Sequence, residues 1–365
     1  MSSEVKATQY PLRPRTVDAS YYLDEAQYAR EIERVFFAGW FPVCSSKELP
    51  NANDYVVWDQ LKQSVVITRQ PDGGLSAWHN VCQHRGARLA EKSGHCKAGK
   101  FKCPWHGLIY DLAGKCIFVP LRETFDEREL EGLRTPPVRA VEWSGLVWIT
   151  LSEKTPELLE YLGNIRDELG YYQLENFEIR YRATLELNAN WKVVVDAFNE
   201  TWHVPFTHQE TLSGLMLWRE ARLRVCPPHS WMTLPIAGYT EKLGPEVDHR
   251  KANVCHYTVF PNTIFSCFST HLQMWTIWPL SPTQSVLVAW GLVGPAPRGL
   301  SEEQWDEESD RNWQHFINVT SEDARILNQF GTVAKSIGFK RVMFNSAESR
   351  LSAFHDEIMR RVEPV

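Results

Sequence analysis

The chain has 365 residues, 43% of them hydrophobic, which is enough to bury a sizeable core and long enough for two domains or one large one. Lys and Arg number 39 against 45 Asp and Glu, a net charge of −6 with no basic block, which argues against nucleic-acid and membrane-surface partners. No run of eighteen apolar residues occurs and the opening MSSEVKATQYPLRPR is no signal peptide, so a soluble, cytoplasmic protein is expected.

In chain order, the first predicted element is a helix over DEAQYAREIERVFFAGW, with Tyr28, Ile32, Val35 and Phe36 on one face. It closes an N-terminal helical segment, 1–37, expected to pack on the larger lobe. From Phe41 the texture changes to short strands: DYVVWDQ, QSVVITRQPDGGLSAWHNV with an Asp72-Gly73 hairpin signal, GLIYDLAGKCIFV and SGLVWITLS. They read as a small antiparallel β domain over 38–152.

Two loops of that domain hold Cys82-Gln83-His84 and, after eighteen intervening residues, Cys103-Pro104-Trp105-His106. Pro104 prevents a regular helix and Gly107 follows the last ligand, so the loops can wrap one small inorganic core. Two thiolates and two imidazoles make a Rieske [2Fe–2S] ligand set, in which two Cys hold one iron and two His replace Cys on the other. Zinc is the alternative, but a zinc finger groups its Cys in one loop and its His in another. Here each loop carries one of each. The other cysteines, Cys44, Cys96, Cys116, Cys226, Cys255 and Cys267, show no paired spacing and read as reduced thiols.

The stretches VCQHRGARLA and KCPWHGLIYD fit CxHRGAxL…CPWHGxxY, and through them the chain resembles the Rieske non-haem iron oxygenases. These are the large (α) subunits of ring-hydroxylating dioxygenases and of demethylating monooxygenases. Electron-transport Rieske proteins carry an extra Cys in each loop, where this chain has Arg85-Gly86-Ala87 and Pro104-Trp105. The resemblance covers nearly the whole chain, with its specific motifs at 82–106 and 190–208. It implies a second metal, a mononuclear Fe(2+) with O2 as co-substrate, because a cluster only moves electrons.

The second lobe, 153–365, opens with an amphipathic helix, ELLEYLGNIRDELGYY, and carries NWKVVVDAFNETWHVPFTH at 190–208. His203 and His208 lie five apart, a separation that a regular helix would turn by about 140°. Pro205 between them breaks the helix and lets His208 curl back toward the same iron. Two His and one carboxylate with open positions is the ligand set of non-haem Fe(II) oxygenases.

In the resembled family the carboxylate is an Asp on a late helix. Here Asp323 precedes an apolar stripe, Ile326, Leu327 and Phe330, that aims it inward. Glu322, about 100° away, is the competitor and reads as solvated. Glu200 stands where most of the family has Asp. The resemblance makes it an electron-transfer bridge, accepting hydrogen bonds from His203 and from His106 of the partner subunit. A few members of the resembled family that act on quaternary ammonium compounds also carry Glu there. A second departure is Ala197, where an Asn commonly follows the acid at Asp196. Glu200-x-x-His203 also matches a di-iron bundle motif, but a second copy at Glu246–His249 lies in a polar segment without apolar periodicity.

Strands over RYRATLELNAN, CHYTVFPNTIFSCFS, HLQMWTIWPLS and QSVLVAWGLVG give the second lobe an antiparallel sheet flanked by helices, so the fold class is α+β. Phe206, Leu215, Phe265 and Trp275 are the candidate pocket residues. The remaining histidines, His256 and His355 among them, show no ligand spacing and read as structural or exposed. No G-x-G-x-x-G fingerprint or P-loop occurs, so NAD(P)H electrons are expected through a separate reductase, with or without a ferredoxin. The resemblance implies an oxygenase that hydroxylates or dealkylates a small aromatic or apolar substrate and assembles as a homotrimer. A quaternary ammonium monooxygenase is the alternative within the family. A Rieske electron carrier is the alternative outside it, and a carrier has no need of His203, His208 and Asp323.

Overall fold

The computed structural model describes residues 15–244, 246–268, 270–345 and 347–363, so the opening segment judged to be no signal peptide lies outside the described residues, save its last. Contacts divide the chain into two compact units, Phe37–Tyr161 and a second formed by Met1–Phe36 with Leu162–Val365.

The first unit is a seven-stranded antiparallel sheet in the order Phe41–Ser45, Leu146–Thr150, Pro137–Trp143, Leu75–His79, Gln63–Arg69, Asp54–Gln60, Gly94–His95. A three-stranded sheet of Lys100–Lys102, Ile109–Asp111 and Cys116–Phe118 joins it. Burial alternates along most of Asp54–Gln60, as a strand with one face on the core requires. Trp78, Phe101 and Tyr110 fill the core behind the Cys/His loops. The unit runs past the expected end at 152 because its own side chains hold the next residues. The Trp40 indole N–H donates to the Pro156 carbonyl at 2.9 Å, and Arg139 donates to the Thr155 carbonyl and, at 2.6 Å, to Glu157.

The second unit is built on another seven-stranded antiparallel sheet: β1 (Glu178–Leu187), β2 (Arg222–Cys226), β3 (His229–Pro235), β4 (Asn253–Val259), β5 (Thr263–Cys267), β6 (His271–Ser281) and β7 (Gln284–Val293). The spatial order is β1-β7-β6-β5-β4-β3-β2. Register between β4 and β5 pairs His256 with Ser266 and Tyr257 with Phe265. Side chains alternate, so His256 and Thr258 share one face while Cys255, Tyr257 and Phe265 share the other. Helices α1 (Trp191–Ala197), α2 (Val204–Thr207), α3 (Glu302–Val333) and α4 (Ser349–Val362) follow the chain. Phe198, just after α1, and Phe316 of α3 pack on Trp275, and Arg350 of α4 donates to Thr258, so these helices cover the His256 face.

Three local expectations change. The N-terminal helix, Glu25–Glu31 followed by a wider turn over Ile32–Phe36, buries Gln27 and Glu31 alongside Val35 and Phe36, while Tyr28 and Ile32 are only partly covered. Glu31 is buried because Lys192 of α1 meets it at 2.5 Å and the Trp191 indole donates to it at 2.8 Å. The ligand segment leaves its helix after Ala197, ahead of both histidines, and Pro205 sits in the first turn of α2. A proline's missing N–H has no helical partner there anyway, so it starts a helix rather than breaking one. On α3 the buried stripe is Phe316, Thr320, Asp323, Ala324 and Leu327, with Ile326 on the solvent side.

Candidate metal centres

The two Cys/His loops are the same turn used twice. Cys82 N–H donates to the Ala87 carbonyl and Gly86 N–H returns to the Cys82 carbonyl; Cys103 with Leu108, and Gly107 with Cys103, repeat the pattern. Gly86 and Gly107 take φ of +79° and +76°, a left-handed conformation that closes each turn and favours glycine. The histidine falls at the second position after cysteine in one turn and at the third in the other, which is the physical content of the unequal spacing. His84 Nδ1 and His106 Nδ1 stand 3.1 Å apart.

Cys82 and Cys103 are buried and unpaired, while both imidazoles are partly exposed. Burial pushes the Cys82 thiol up. At Cys103 burial acts the same way, but backbone N–H groups of His106, Trp105 and Gly107 outweigh it and hold the thiol below its ordinary value. Two reduced buried thiols and two facing ring nitrogens fit a [2Fe–2S] cluster that would take two Cys on one iron and two His on the other. Tyr110, unremarked in the sequence, places its hydroxyl 3.3 Å from Cys82 Sγ and receives the Gln83 N–H at 3.0 Å.

In the second unit, His203, His208 and Asp323 each turn one ligand atom into a space less than 4.8 Å across. His208 Nε2 lies 3.0 Å and His203 Nε2 3.7 Å from Asp323 Oδ1. The two histidines flank the single turn of α2, and Asp323 reaches them from α3. Behind them stand two more carboxylates. Glu200 Oε1 accepts from His203 Nδ1, and its other oxygen caps the backbone N–H groups of Trp202 and His203. Glu322 Oε2 accepts from His208 Nδ1 at 2.7 Å and from the Thr211 hydroxyl at 2.7 Å.

Glu322, expected in solvent, is therefore the partner of His208, because the helical angle that separates it from Asp323 carries it to the other side of the same ring. With Nδ1–H donated to a carboxylate, each ring keeps its Nε2 lone pair for a metal. Burial resists charging of His208, but Asp323 and Glu322 outweigh it and raise its pKa. Three carboxylates around two imidazoles, with Asp323 buried, suit a divalent cation that would offset their charge.

Of the pocket candidates, Trp275 is buried between Phe198, at 4.6 Å between ring centroids, and Phe316, at 4.9 Å. Phe206 and Leu215 are surface residues, 68% and 41% exposed. Phe265 lies on the opposite face of the sheet from Trp275: it pairs with Met274, the residue before Trp275, and side chains alternate. Phe198 and Phe316 went unremarked because their roles depend on two distant segments meeting over β6.

Residues 174–364 match the family described as ring hydroxylating alpha subunit (catalytic domain), and residues 39–137 match the Rieske [2Fe-2S] domain. The glycine betaine monooxygenase oxygenase subunit of Pseudomonas aeruginosa is 24% identical over 361 residues, covering 84% of this chain and 83% of its own. The carnitine monooxygenase oxygenase subunit of Escherichia coli is 30% identical over 200 residues, covering 54% of this chain and 53% of its own. The solved structure of the quaternary ammonium Rieske monooxygenase CntA superimposes with a TM-score of 0.79 over 97% of both chains at 19% identity, a likeness of fold.

Proposed function

We propose that this chain, which belongs to the ring-hydroxylating oxygenase α subunits, is a monooxygenase of a quaternary ammonium compound. Membership makes it an O2-using oxidoreductase with a Rieske cluster and a mononuclear iron. The observation that carries the substrate reading is the ring trio Phe198, Trp275 and Phe316. Phe198 is on the segment that bears His203, and Phe316 is two turns before Asp323 on one face of α3. Aromatic faces attract a quaternary ammonium, which has no N–H to donate. The relatives named for glycine betaine and carnitine support the same class.

In this reading Cys82, His84, Cys103 and His106 hold the cluster, and His203, His208 and Asp323 hold the iron. When bound, the iron would supply the activation of O2 with electrons delivered through the cluster. The protein's own part is positioning. Glu200 and Glu322 fix the two imidazoles by accepting Nδ1–H. The ring trio seats the cation and excludes water, so that a C–H beside the nitrogen is the bond presented. Hydroxylation there consumes O2, two electrons and two protons, leaving one oxygen on carbon and one in water. The hydroxylated carbon then departs as a carbonyl compound with loss of a proton, and the C–N electron pair stays on the amine. A separate reductase, with or without a ferredoxin, supplies the electrons. The assembly is a cyclic trimer in which Glu200 links His203 to His106 of the partner subunit.

The ring trio also suits a flat aromatic substrate, and one assay separates the two readings. The chain, a Rieske reductase, NADH and O2 are incubated with glycine betaine, carnitine, naphthalene and benzoate, and products are identified by mass spectrometry. A tertiary amine with its aldehyde is the expected result. A cis-dihydrodiol from the aromatic compounds, with the quaternary amines untouched, would overturn the proposal.

A further inference from the structure

Arg350 of α4 is fully buried, with no exposed surface. Its Nε donates to the Ser230 hydroxyl at 3.0 Å and one terminal nitrogen to the Thr258 hydroxyl at 2.8 Å, both neutral groups of the sheet. The other terminal nitrogen, Nη1, has no partner among the described residues. Nor does any described carboxylate offset the charge: burial alone lowers the guanidinium, to about 9, so it stays charged at neutral pH. The nearby carboxylate Glu348 is engaged by the Asn345 N–H at 2.6 Å. A buried cation without a counter-charge is strongly unfavourable unless something else supplies the anion.

Other unused donors lie in the same region. Thr258 donates to Asn199 Oδ1 at 2.5 Å, which leaves Asn199 Nδ2 buried and unpartnered, one residue before Glu200. Trp275 Nε1, within the ring trio, is also buried and unpartnered. His256 shares the sheet face with Thr258. Burial, then the Arg350 guanidinium, holds its imidazole neutral, with a pKa of about 3, so it adds no second cation, and its Nδ1 is also buried and unpartnered. Arg350 and Asn199, joined through Thr258, thus leave two N–H donors, one of them cationic, without an acceptor. A carboxylate is the group that satisfies such a set, with oxygens for both the guanidinium and an amide.

We infer that Arg350, assisted by Asn199, is the anchor for a carboxylate on the substrate, which selects an acid over its neutral counterpart. Combined with the quaternary ammonium reading, on which only the cationic end rests, the substrate is a zwitterion, its ammonium against Phe198, Trp275 and Phe316 and its carboxylate at Arg350.

The test compares glycine betaine with choline, which differ at the carboxylate, and benzoate with benzyl alcohol, which differ in the same way without an ammonium. Turnover with reductase and NADH gives kcat/KM, and calorimetry on the anaerobic protein gives Kd. Wild type is expected to favour the acid of whichever pair it accepts. Arg350→Gln should lower the acid-to-alcohol ratio about 100-fold, the loss falling in KM and Kd, and Arg350→Lys should recover part of it. The cluster's absorption spectrum monitors folding. Should Arg350→Gln fail to fold, Asn199→Asp, which keeps the acceptor for Thr258 but sets a negative charge beside the anion, should cut the ratio about tenfold. Preference for benzoate over benzyl alcohol with no quaternary substrate accepted would retain Arg350's role while removing the quaternary ammonium reading. Choline used as well as glycine betaine, or a ratio unchanged in Arg350→Gln, would overturn the inference and leave that reading standing.

Discussion

At the residue scale, the adjacent carboxylates Glu322 and Asp323 do different work on one imidazole, since Asp323 faces Nε2 of His208 and Glu322 faces Nδ1. Asp323→Ala should lose the mononuclear iron and all turnover while leaving the reduced-cluster EPR signal intact. Glu322→Gln should keep the site and weaken iron affinity about 10- to 100-fold, the usual effect of losing such a partner. Metal analysis after dialysis distinguishes them, and the reverse pattern would show the ligand to be Glu322. A second change at this scale is Tyr110→Phe, which removes the hydroxyl from Cys82 Sγ. Hydrogen bonds to sulfur favour the reduced, more negative cluster, so its potential should fall, on the order of tens of mV by voltammetry. The candidate ligands were legible because Cys-x-His, Cys-x-x-His and the His203/His208 pair lie within short segments. Glu322, Tyr110 and Arg350 were not, because each acts on a partner many residues away.

At the element scale, the position of α3 decides whether Asp323 reaches the histidines. Gly331, eight residues on from Asp323, lets α3 pass so close to the end of β1 that its N–H meets the Asn188 carbonyl at 2.6 Å. A Cβ there would stand 2.4 Å from that carbonyl oxygen. Gly331→Ala should cost about 1–3 kcal/mol in urea unfolding and also weaken the mononuclear iron, with the cluster unaffected. A variant that bound iron normally would detach the helix position from the site. The strands were readable from their alternation and turn residues. The helix ends were not: Pro205 reads as a breaker in isolation and serves as a starter in place, and the N-terminal helix buries Glu31 only because Lys192 waits for it.

At the scale of the whole molecule, the two centres belong to two separately packed units. The α+β class and the two lobes followed from the order of strands and helices. The end of the first lobe did not, because Trp40 and Arg139 hold residues beyond the last strand. If electrons cross between neighbouring chains, light scattering should give a closed trimer, and Glu200→Gln should keep both metals yet slow cluster oxidation steeply, since a neutral amide is a poorer acceptor for imidazole N–H groups. A fully active monomer would contradict that arrangement. The most direct test of the oxygenase assignment is a single turnover in which the protein, reduced at its cluster and freed of reductase, is mixed with O2 and glycine betaine. The wild type should oxidise its cluster and release amine and aldehyde, and Asp323→Ala should keep its cluster reduced and form no product. Product formation by Asp323→Ala at the wild-type level would contradict the account.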